Sequence, residues 1–459
     1  MPIKKIELRY EIFMRAIGIL SLVFFITSCA SFPKDQPQVE ALVLSNNYGK
    51  ALQILTQDKN AYGTNNELLY LLDKGFLEHL NGDYAQSIET FTKAQMKFDE
   101  LYTESLGKIA ATWVFNDYSA PYHGEDFEHV FINVFQALNY LMLGKYDDAI
   151  VEARDVDSKL NAINAQYNAD QKNVYKEDAF IRMLIGIFYE AGSSHQDIND
   201  AYISYTKAAE IYDEEYNENY GLAAPEMLKE NILTTAKEMG WMEFNKAKEK
   251  YADTQMITLK DKRKKAEVYF IQYNGISPVK IEDSVIIPML DGHIVKVAFP
   301  KYQRRPYGIT SSRILVKSSE GEVLKVNSER VQDIGAIAIK NLARRKVRFI
   351  AKSALRATGR YMIEKKQVEN IEKIRGRETA GWFSFFANVY NIMIEKADLR
   401  CWRSLPDEIR IARIILDPGD YEFNVENFND SGANLGILNV SNSAVKAGEK
   451  LFFMIHTSR

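Results

Sequence analysis

The chain has few cysteines, few histidines and no apolar run long enough to cross a bilayer. Two cysteines in 459 residues exclude a disulfide scaffold and a four-cysteine zinc site. The six histidines are scattered, and we find no nucleophile elbow, phosphate-binding loop or metal-spaced His/Cys set. The formal net charge of −4 gives no indication of nucleic-acid binding. We therefore expect no enzyme activity, no cofactor, no bound metal and no nucleic-acid partner.

The composition is that of a folded protein with more than one domain. Hydrophobic residues make up 46% and charged residues 26% of the chain, close to the globular average. The length favours two or three domains. Helical periodicity dominates the first half and alternating strand patterns the second, so we predict an α+β fold.

The first 28 residues have the pattern of a secretory signal. Four basic residues precede an apolar run of 11 residues, 16–26, whereas a membrane span needs about 20. The run ends in Ile26-Thr27-Ser28-Cys29, which resembles the lipobox of bacterial lipoproteins. That resemblance implies a signal peptide over 1–28, a lipid on Cys29 and a tether over 29–40. An ordinary signal peptide or an unprocessed anchor with a chance cysteine is the alternative, and Met14 could be the true start.

The lipobox also predicts where the protein resides. Several acyl chains at one terminus hold a protein stably on a membrane. Ala30 follows the cysteine instead of an aspartate, which favours the outer membrane with the chain facing the periplasm. Cys401 then has no intramolecular partner, and we expect it to be a buried apolar side chain.

Residues 41–255 contain three segments with one pattern of small and aromatic residues. The pattern resembles that of tetratricopeptide (TPR) helix pairs, with Gly75 and Phe91 in the first copy and Gly186 and Tyr205 in the third. The copies are 62 and 52 residues apart, whereas a regular array steps by about 34. We therefore predict an irregular TPR-like α-solenoid that binds a protein partner on its concave face.

The acidic and histidine-rich segment 122–129 lies within this region. His123 and His129 are six residues apart, which does not place both rings on one helix face. We favour a loop that leads into a helix with an acidic first turn. The alternative is an envelope enzyme or a polysaccharide-binding factor that uses this segment.

The second half is predicted as a charged, exposed linker over 256–265 and β-rich segments over 266–329 and 398–459, separated by a helical insert over 330–397. The strand patterns and the turns at 319–321 and 417–420 predict an antiparallel β module.

The helical insert is basic and then aromatic. Residues 340–377 contain 13 basic and three acidic residues, and basic segments are attracted to anionic surfaces. The candidate membrane- or anion-binding residues are Arg344, Arg345, Lys346, Arg348, Lys352 and Arg356. A solvated helix face is the alternative, and we favour it. For the aromatic segment 381–397 we favour a buried core helix over one that dips into a bilayer.

Three stretches together resemble an uncharacterised family of bacterial TPR-like envelope lipoproteins. They are 122–128 with its helical continuation, 273–302, and 397–406, which reads Ala-Asp-Leu-Arg-Cys-Trp-Arg-Ser-Leu-Pro. The resemblance implies a role in envelope or peptidoglycan assembly and carries no assigned activity. We predict a lipid-anchored adaptor that binds an envelope protein. The sequence does not specify its oligomeric state. The candidate partner-binding residues are Tyr122, Glu125, Asp126, Glu128, Asp398, Arg400, Trp402 and Arg403.

Overall fold

The computed structural model describes residues 36–57, 62–108, 120–165, 175–192, 194–289 and 291–457, except for the side chains of residues 102–108 and 348. The predicted signal peptide, Cys29 and the tether up to residue 35 lie outside these ranges. Within them the fold is mixed α+β, as predicted.

Helices form the described chain up to residue 262. In chain order they are α1 (Gln36–Leu44), α2 (Tyr48–Gln57), α3 (Glu67–Leu80), α4 (Tyr84–Lys108), α5 (Asp126–Met142), α6 (Tyr146–Ala165), α7 (Ala179–Ala191), α8 (His195–Ile211), α9 (Asn217–Tyr220), α10 (Glu226–Met239), α11 (Trp241–Lys250) and α12 (Leu259–Lys262). A short 3₁₀ turn, Thr64–Asn66, precedes α3, and a π-helical turn, Tyr212–Tyr216, follows α8. Side-chain caps fix several of the starts, because Glu125 and Glu128 form a capping box at α5 and Asp178 caps α7.

Helices α3 to α8 pack as three consecutive pairs joined by short turns. Gly75 in α3 lies against Phe91 of α4, and Gly186 in α7 lies against Tyr205 of α8. A Cβ atom at these glycines would lie 2.8 and 2.4 Å from the aromatic rings. Glycine is therefore required at both positions for the helices to approach this closely.

Ten strands follow within the described residues. They are β1 (Ala266–Asn274), β2 (Val279–Pro288), β3 (Ile294–Gln303), β4 (Ser311–Ser318), β5 (Val323–Asn327), β6 (Glu329–Asp333), β7 (Glu408–Leu416), β8 (Gly419–Phe428), β9 (Asn434–Val445) and β10 (Lys450–Thr457). One sheet has the order β10-β1-β7-β6, a second has the order β5-β4-β8-β9, and β2 and β3 form a separate hairpin.

The first sheet lies between the helices and the second sheet. On β1, Tyr269, Ile271 and Tyr273 belong to the core shared with the helices, while Val268 and Phe270 face the second sheet. Both faces of β1 are therefore buried, because side chains alternate along a strand.

The prediction of a wholly antiparallel module is wrong for one strand pair. Strand β10 pairs with β1 in parallel. The strand before it, β9, belongs to the second sheet, so the chain changes sheets before β10 and no hairpin constrains the direction of β10.

The prediction of an exposed linker over 256–265 is also wrong in part. This segment contains α12, and Lys262 is buried there. Its ammonium group pairs with Glu190 of α7 and lies 2.9 Å from the Glu267 carboxylate of β1. The segment therefore joins the helices to the sheet instead of separating them.

Two helices form most of the predicted insert, α13 (Ile334–Arg375) and α14 (Arg377–Ile394). The first residues of the range 330–397 belong to β6 instead, and Asp333 then caps α13 by accepting a hydrogen bond from Ala336 N. With 42 residues, α13 is about 63 Å long. It packs against β3, and α14 returns along it.

Candidate functional site

The two sequence motifs at 122–128 and 398–404 meet in the interior. The carboxylate of Glu128 accepts hydrogen bonds from Tyr122 Oη (2.6 Å), from Glu125 N (2.9 Å) and from Trp402 N (2.7 Å). The last contact joins residues that are 274 positions apart in the chain. The sequence predicted both motifs as site residues but did not predict that they touch.

Glu125 is the second carboxylate of this cluster and pairs with two cations. Lys280 of β2 and Arg345 of α13 both contact it. Burial alone would raise the pKa of Glu125, but the two cations lower it to about 2. For Glu128, burial and the negative charge of Glu125 raise the pKa to about 7. Neighbouring carboxylates in one network thus differ strongly in acidity.

Arg400 ties the second motif to the loop before α5. Its guanidinium lies 2.6 Å from the Asp398 carboxylate and donates to Asn66 Oδ1 and to Ala120 O, each at 3.0 Å. It also lies over the Tyr122 ring, 5.4 Å from the centroid. A buried guanidinium needs this many partners because an unpaired buried charge is costly.

Trp402 packs into the core between α3, α4 and α5. Its ring packs edge-on against those of Phe76, Phe91 and Phe135 at 5.9 to 6.2 Å. Its indole N–H donates to Ser404 Oγ (3.0 Å), which donates to Asp73 of α3 (2.6 Å). Burial raises the pKa of Asp73 to about 6.

Arg403 forms an ion pair with α1. Its Nε lies 2.5 Å from a carboxylate oxygen of Glu40 in α1, and Arg305 lies 3.0 Å from the other oxygen. Neither Glu40 nor Arg305 was predicted, because no local pattern marks residues that meet only through the fold.

We call the set of Tyr122, Glu125, Glu128, Lys280, Arg345, Arg400 and Trp402 the clasp. It joins α5 and the loop before it to the hairpin β2–β3, to α13 and to the loop before β7. The prediction that Tyr122, Glu125, Glu128, Arg400 and Trp402 bind a partner is wrong, because all five side chains are buried. Asp126, Asp398 and Arg403 are half-buried and take part in ion pairs with this chain's own residues. Cys401 is buried, as expected.

One of the two histidines of segment 122–129 packs against an aromatic ring. The His129 ring stacks on Phe98 with centroids 4.4 Å apart, and burial lowers the pKa of His129 to about 3. Within the described residues, no group of three or more His, Cys, Asp or Glu side chains could hold a metal ion. Cavities beside Asp73 and Glu364 have volumes of about 10 and 20 Å³, room for about one water each.

The predicted basic residues of α13 divide into inward and outward groups. Arg345 pairs with Glu125, and Arg356 lies 3.0 Å from buried Glu395, so the prediction that these two bind a membrane or an anion is wrong. The residues Arg344, Lys346 and Lys352 are exposed. The side chain of Arg348 lies outside the described part of the structure.

The prediction of a buried aromatic core helix over 381–397 is wrong. Trp382 and Phe385 of α14 are 59% and 58% exposed. The helix instead turns polar side chains inward, because the buried carboxylate of Glu364 on α13 needs hydrogen-bond donors. Asn391 Nδ2 donates to Glu364 at 2.8 Å. No helix in the described residues is both long and apolar enough to cross a membrane.

No protein-family model matches the chain, and no curated protein matches it. Among solved structures, the chain is similar to BtubC (BKLC) from P. vanneervenii, with 16% identity and a TM-score of 0.27 over 54% of this chain and 84% of that one. A likeness at this TM-score carries no argument about fold or function.

Proposed function

We propose that the protein is a lipid-anchored adaptor of the bacterial cell envelope that binds a protein partner through a TPR-like helical array. The lipobox at Cys29 supports the anchor. The three helix pairs with their glycine–aromatic contacts support the prediction of a TPR-like array over residues 41–255. The sequence resemblance to envelope lipoproteins suggests a role in envelope or peptidoglycan assembly.

The partner surface lies on α6 and α8, the second helices of two pairs, because first helices of the pairs are already covered. His79 of α3 is 2.7 Å from Tyr273 Oη of β1. Phe135 of α5 packs against Tyr273 and Trp402. The chain's own sheet therefore occupies the face where a TPR-type partner was expected.

One observation carries this assignment: exposed apolar side chains at equivalent positions of two pairs. Val151 of α6 and Ile203 of α8 each follow the aligned alanine, Ala149 or Ala201, by two residues. Both alanines are buried, whereas Val151 and Ile203 are 58% and 56% exposed. Exposed apolar residues that recur with a repeat form a surface suited to another protein.

Crosslinking in native membranes tests the partner surface. We expect a defined partner to crosslink to the natural chain and to be lost from the variant Val151→Glu/Ile203→Glu. The matched control is Leu435→Glu/Ile437→Glu, which changes two exposed apolar residues of β9 on the far sheet and should keep the partner. Equal loss in both variants, or no effect of the first, would contradict the assignment.

Labelling with radioactive palmitate tests the anchor separately. We expect label on the natural chain and none on Cys29→Ser, with the unlabelled variant released from the membrane fraction. An unlabelled natural chain found in the cytosol would overturn the proposed localisation.

A further inference from the structure

Helix α14 presents an aromatic face to solvent. Trp382, Phe385, Tyr390 and Met393 are all exposed, and their spacing of three, five and three residues places them on one side of the helix. The burial pattern of an ordinary surface helix is thus reversed, since the apolar side normally faces the core.

Polar contacts on the other side hold this orientation. Asn388 Nδ2 donates to Ile294 O of β3 at 2.9 Å. Ser384 Oγ lies 3.0 Å from His293 Nε2, and the same nitrogen lies 2.7 Å from Glu364 Oε1. Turning the aromatic face inward would break these bonds and leave buried polar groups unpaired, which is costly.

The neighbouring elements extend the apolar surface. More than half of the exposed large apolar side chains in the described part of the chain lie on the hairpin β2–β3, α13 and α14, which we call the lobe. Outside α14 the most exposed of them are Ile374, Val347 and Met362 on α13 and Ile286 on β2, at 80%, 77%, 65% and 65%.

The lobe is also basic. Residues 340–377 carry ten more positive than negative charges, in a chain of net charge −4. Although Arg345 and Arg356 turn inward, Lys365, Lys366, Lys373 and several other basic residues are exposed among the apolar ones. Tryptophan and phenylalanine combined with lysine and arginine are typical of surfaces that lie in the lipid headgroup region.

We propose that the lobe docks on an anionic phospholipid surface, with Trp382 and Phe385 inserted among the headgroups. A second copy of the chain fits the same face less well, because two lobes of like charge would oppose each other. The inference rests on the proposed lipid anchor, and it adds a second contact that would fix the orientation of the adaptor on the membrane.

Vesicle flotation of residues 29–459, produced without the signal segment so that Cys29 carries no lipid, tests this contact. We expect the chain to float with phosphatidylglycerol vesicles at low salt, less at high salt, and not with phosphatidylcholine vesicles. Trp382→Glu/Phe385→Glu should abolish flotation. The matched control, Trp241→Glu/Met242→Glu, changes two exposed apolar residues of α11 and should float like the natural chain.

A charge variant checks the electrostatic part without touching the aromatic face. Lys365→Gln/Lys366→Gln should weaken partitioning by about thirtyfold, since each basic residue near an anionic leaflet contributes about 1 kcal/mol. Both lysines are exposed, so the variant keeps the fold even if the aromatic variant does not.

Three outcomes would overturn the proposal. They are a natural chain that stays with the soluble fraction at low salt, equal losses in the aromatic and control variants, and a dimer in light scattering that Trp382→Glu/Phe385→Glu dissolves. The last result would make the lobe a self-association surface. If flotation fails while palmitate is found on Cys29, this inference falls and the lipid anchor stands.

Discussion

At the scale of single residues, the clasp places the carboxylates of Glu125 and Glu128 side by side and shifts their pKa values in opposite directions. Glu125 faces Lys280 and Arg345, whereas Glu128 faces two N–H groups and one hydroxyl. Neutral donors stabilise a buried carboxylate less than cations do. The pKa of Glu128 is therefore raised to about 7 while that of Glu125 is lowered to about 2.

Replacing Glu128 by glutamine should change how stability depends on pH. Because the folded-state pKa of Glu128 is about 7, above the ordinary 4.5, its contribution to stability is complete below pH 4.5 and is lost as the pH rises through 7. Glu128→Gln loses hydrogen bonds at every pH but does not titrate. We expect its stability deficit against the natural chain to shrink by about 3 kcal/mol between pH 4.5 and pH 8.

Urea unfolding of both chains at these two pH values measures the difference. A deficit of equal size at pH 4.5 and pH 8 would mean that Glu128 does not titrate with the raised pKa. Glu128→Asp is the control, because it disturbs the same hydrogen bonds but keeps an ionisable carboxyl group.

Trp402 should be one of the most sensitive positions in the chain. Its ring is buried among three phenylalanines, and its indole N–H is bonded. We expect Trp402→Ala to lower the free energy of unfolding by about 3–5 kcal/mol. The control is Trp241→Ala, since Trp241 is 78% exposed and should change stability by at most about 0.5 kcal/mol. Similar losses in the two variants, measured by urea unfolding, would contradict the packing described here.

At the scale of elements, the close contact between α7 and α8 depends on a single missing side chain. Alanine favours a helix more than glycine does by about 0.5–1 kcal/mol. At Gly186 the added methyl would lie 2.4 Å from Tyr205, so the two helices would have to separate. We expect Gly186→Ala to destabilise the chain by about 1–3 kcal/mol.

The same substitution at Gly359 of α13 provides the control. Nothing lies within 4 Å of the position where its Cβ would be, so only the helix preference remains. We expect Gly359→Ala to be neutral or to stabilise by up to about 1 kcal/mol in thermal or urea unfolding. We expect the change in the free energy of unfolding to have opposite signs at the two glycines. Changes of the same sign would exclude a steric role for Gly186.

Helices and strands could be predicted from the sequence where their formation depends on neighbouring residues alone. The alternation over 267–273 predicted β1, and the turn at 319–321 lies between β4 and β5 as expected. Of the turn predicted at 417–420, only Asp417 and Pro418 lie between strands, because β8 begins at Gly419. The outward orientation of the aromatic face of α14 could not be predicted, because it depends on His293 and Glu364, which belong to other parts of the chain. For the same reason the two site motifs could be identified from sequence, but their contact through Glu128 and Trp402 N could not.

At the scale of the whole molecule, the helices and the first sheet share one core. Phe76 and Phe135 pack against Tyr273, and Tyr212 Oη donates to Val331 O of β6 at 2.9 Å. Lys262 joins the two parts by ion pairs within the segment predicted as a linker. Because side chains are buried across this contact, we expect the two parts to fold cooperatively, even though charge and periodicity predict a boundary between them.

The helical region should consequently not fold to full stability without the sheet. In a chain of residues 36–255, the inner side chains of α3 and α5, such as Phe76 and Phe135, would face water at a cost of about 1.5–3 kcal/mol for each large side chain. We expect this fragment to retain helical circular dichroism, to bind the dye ANS and to lack the sharp thermal transition of the full chain. A fragment that melts sharply at the temperature of the full chain would instead make the helical array an independent domain, and the clasp a docking contact between two domains.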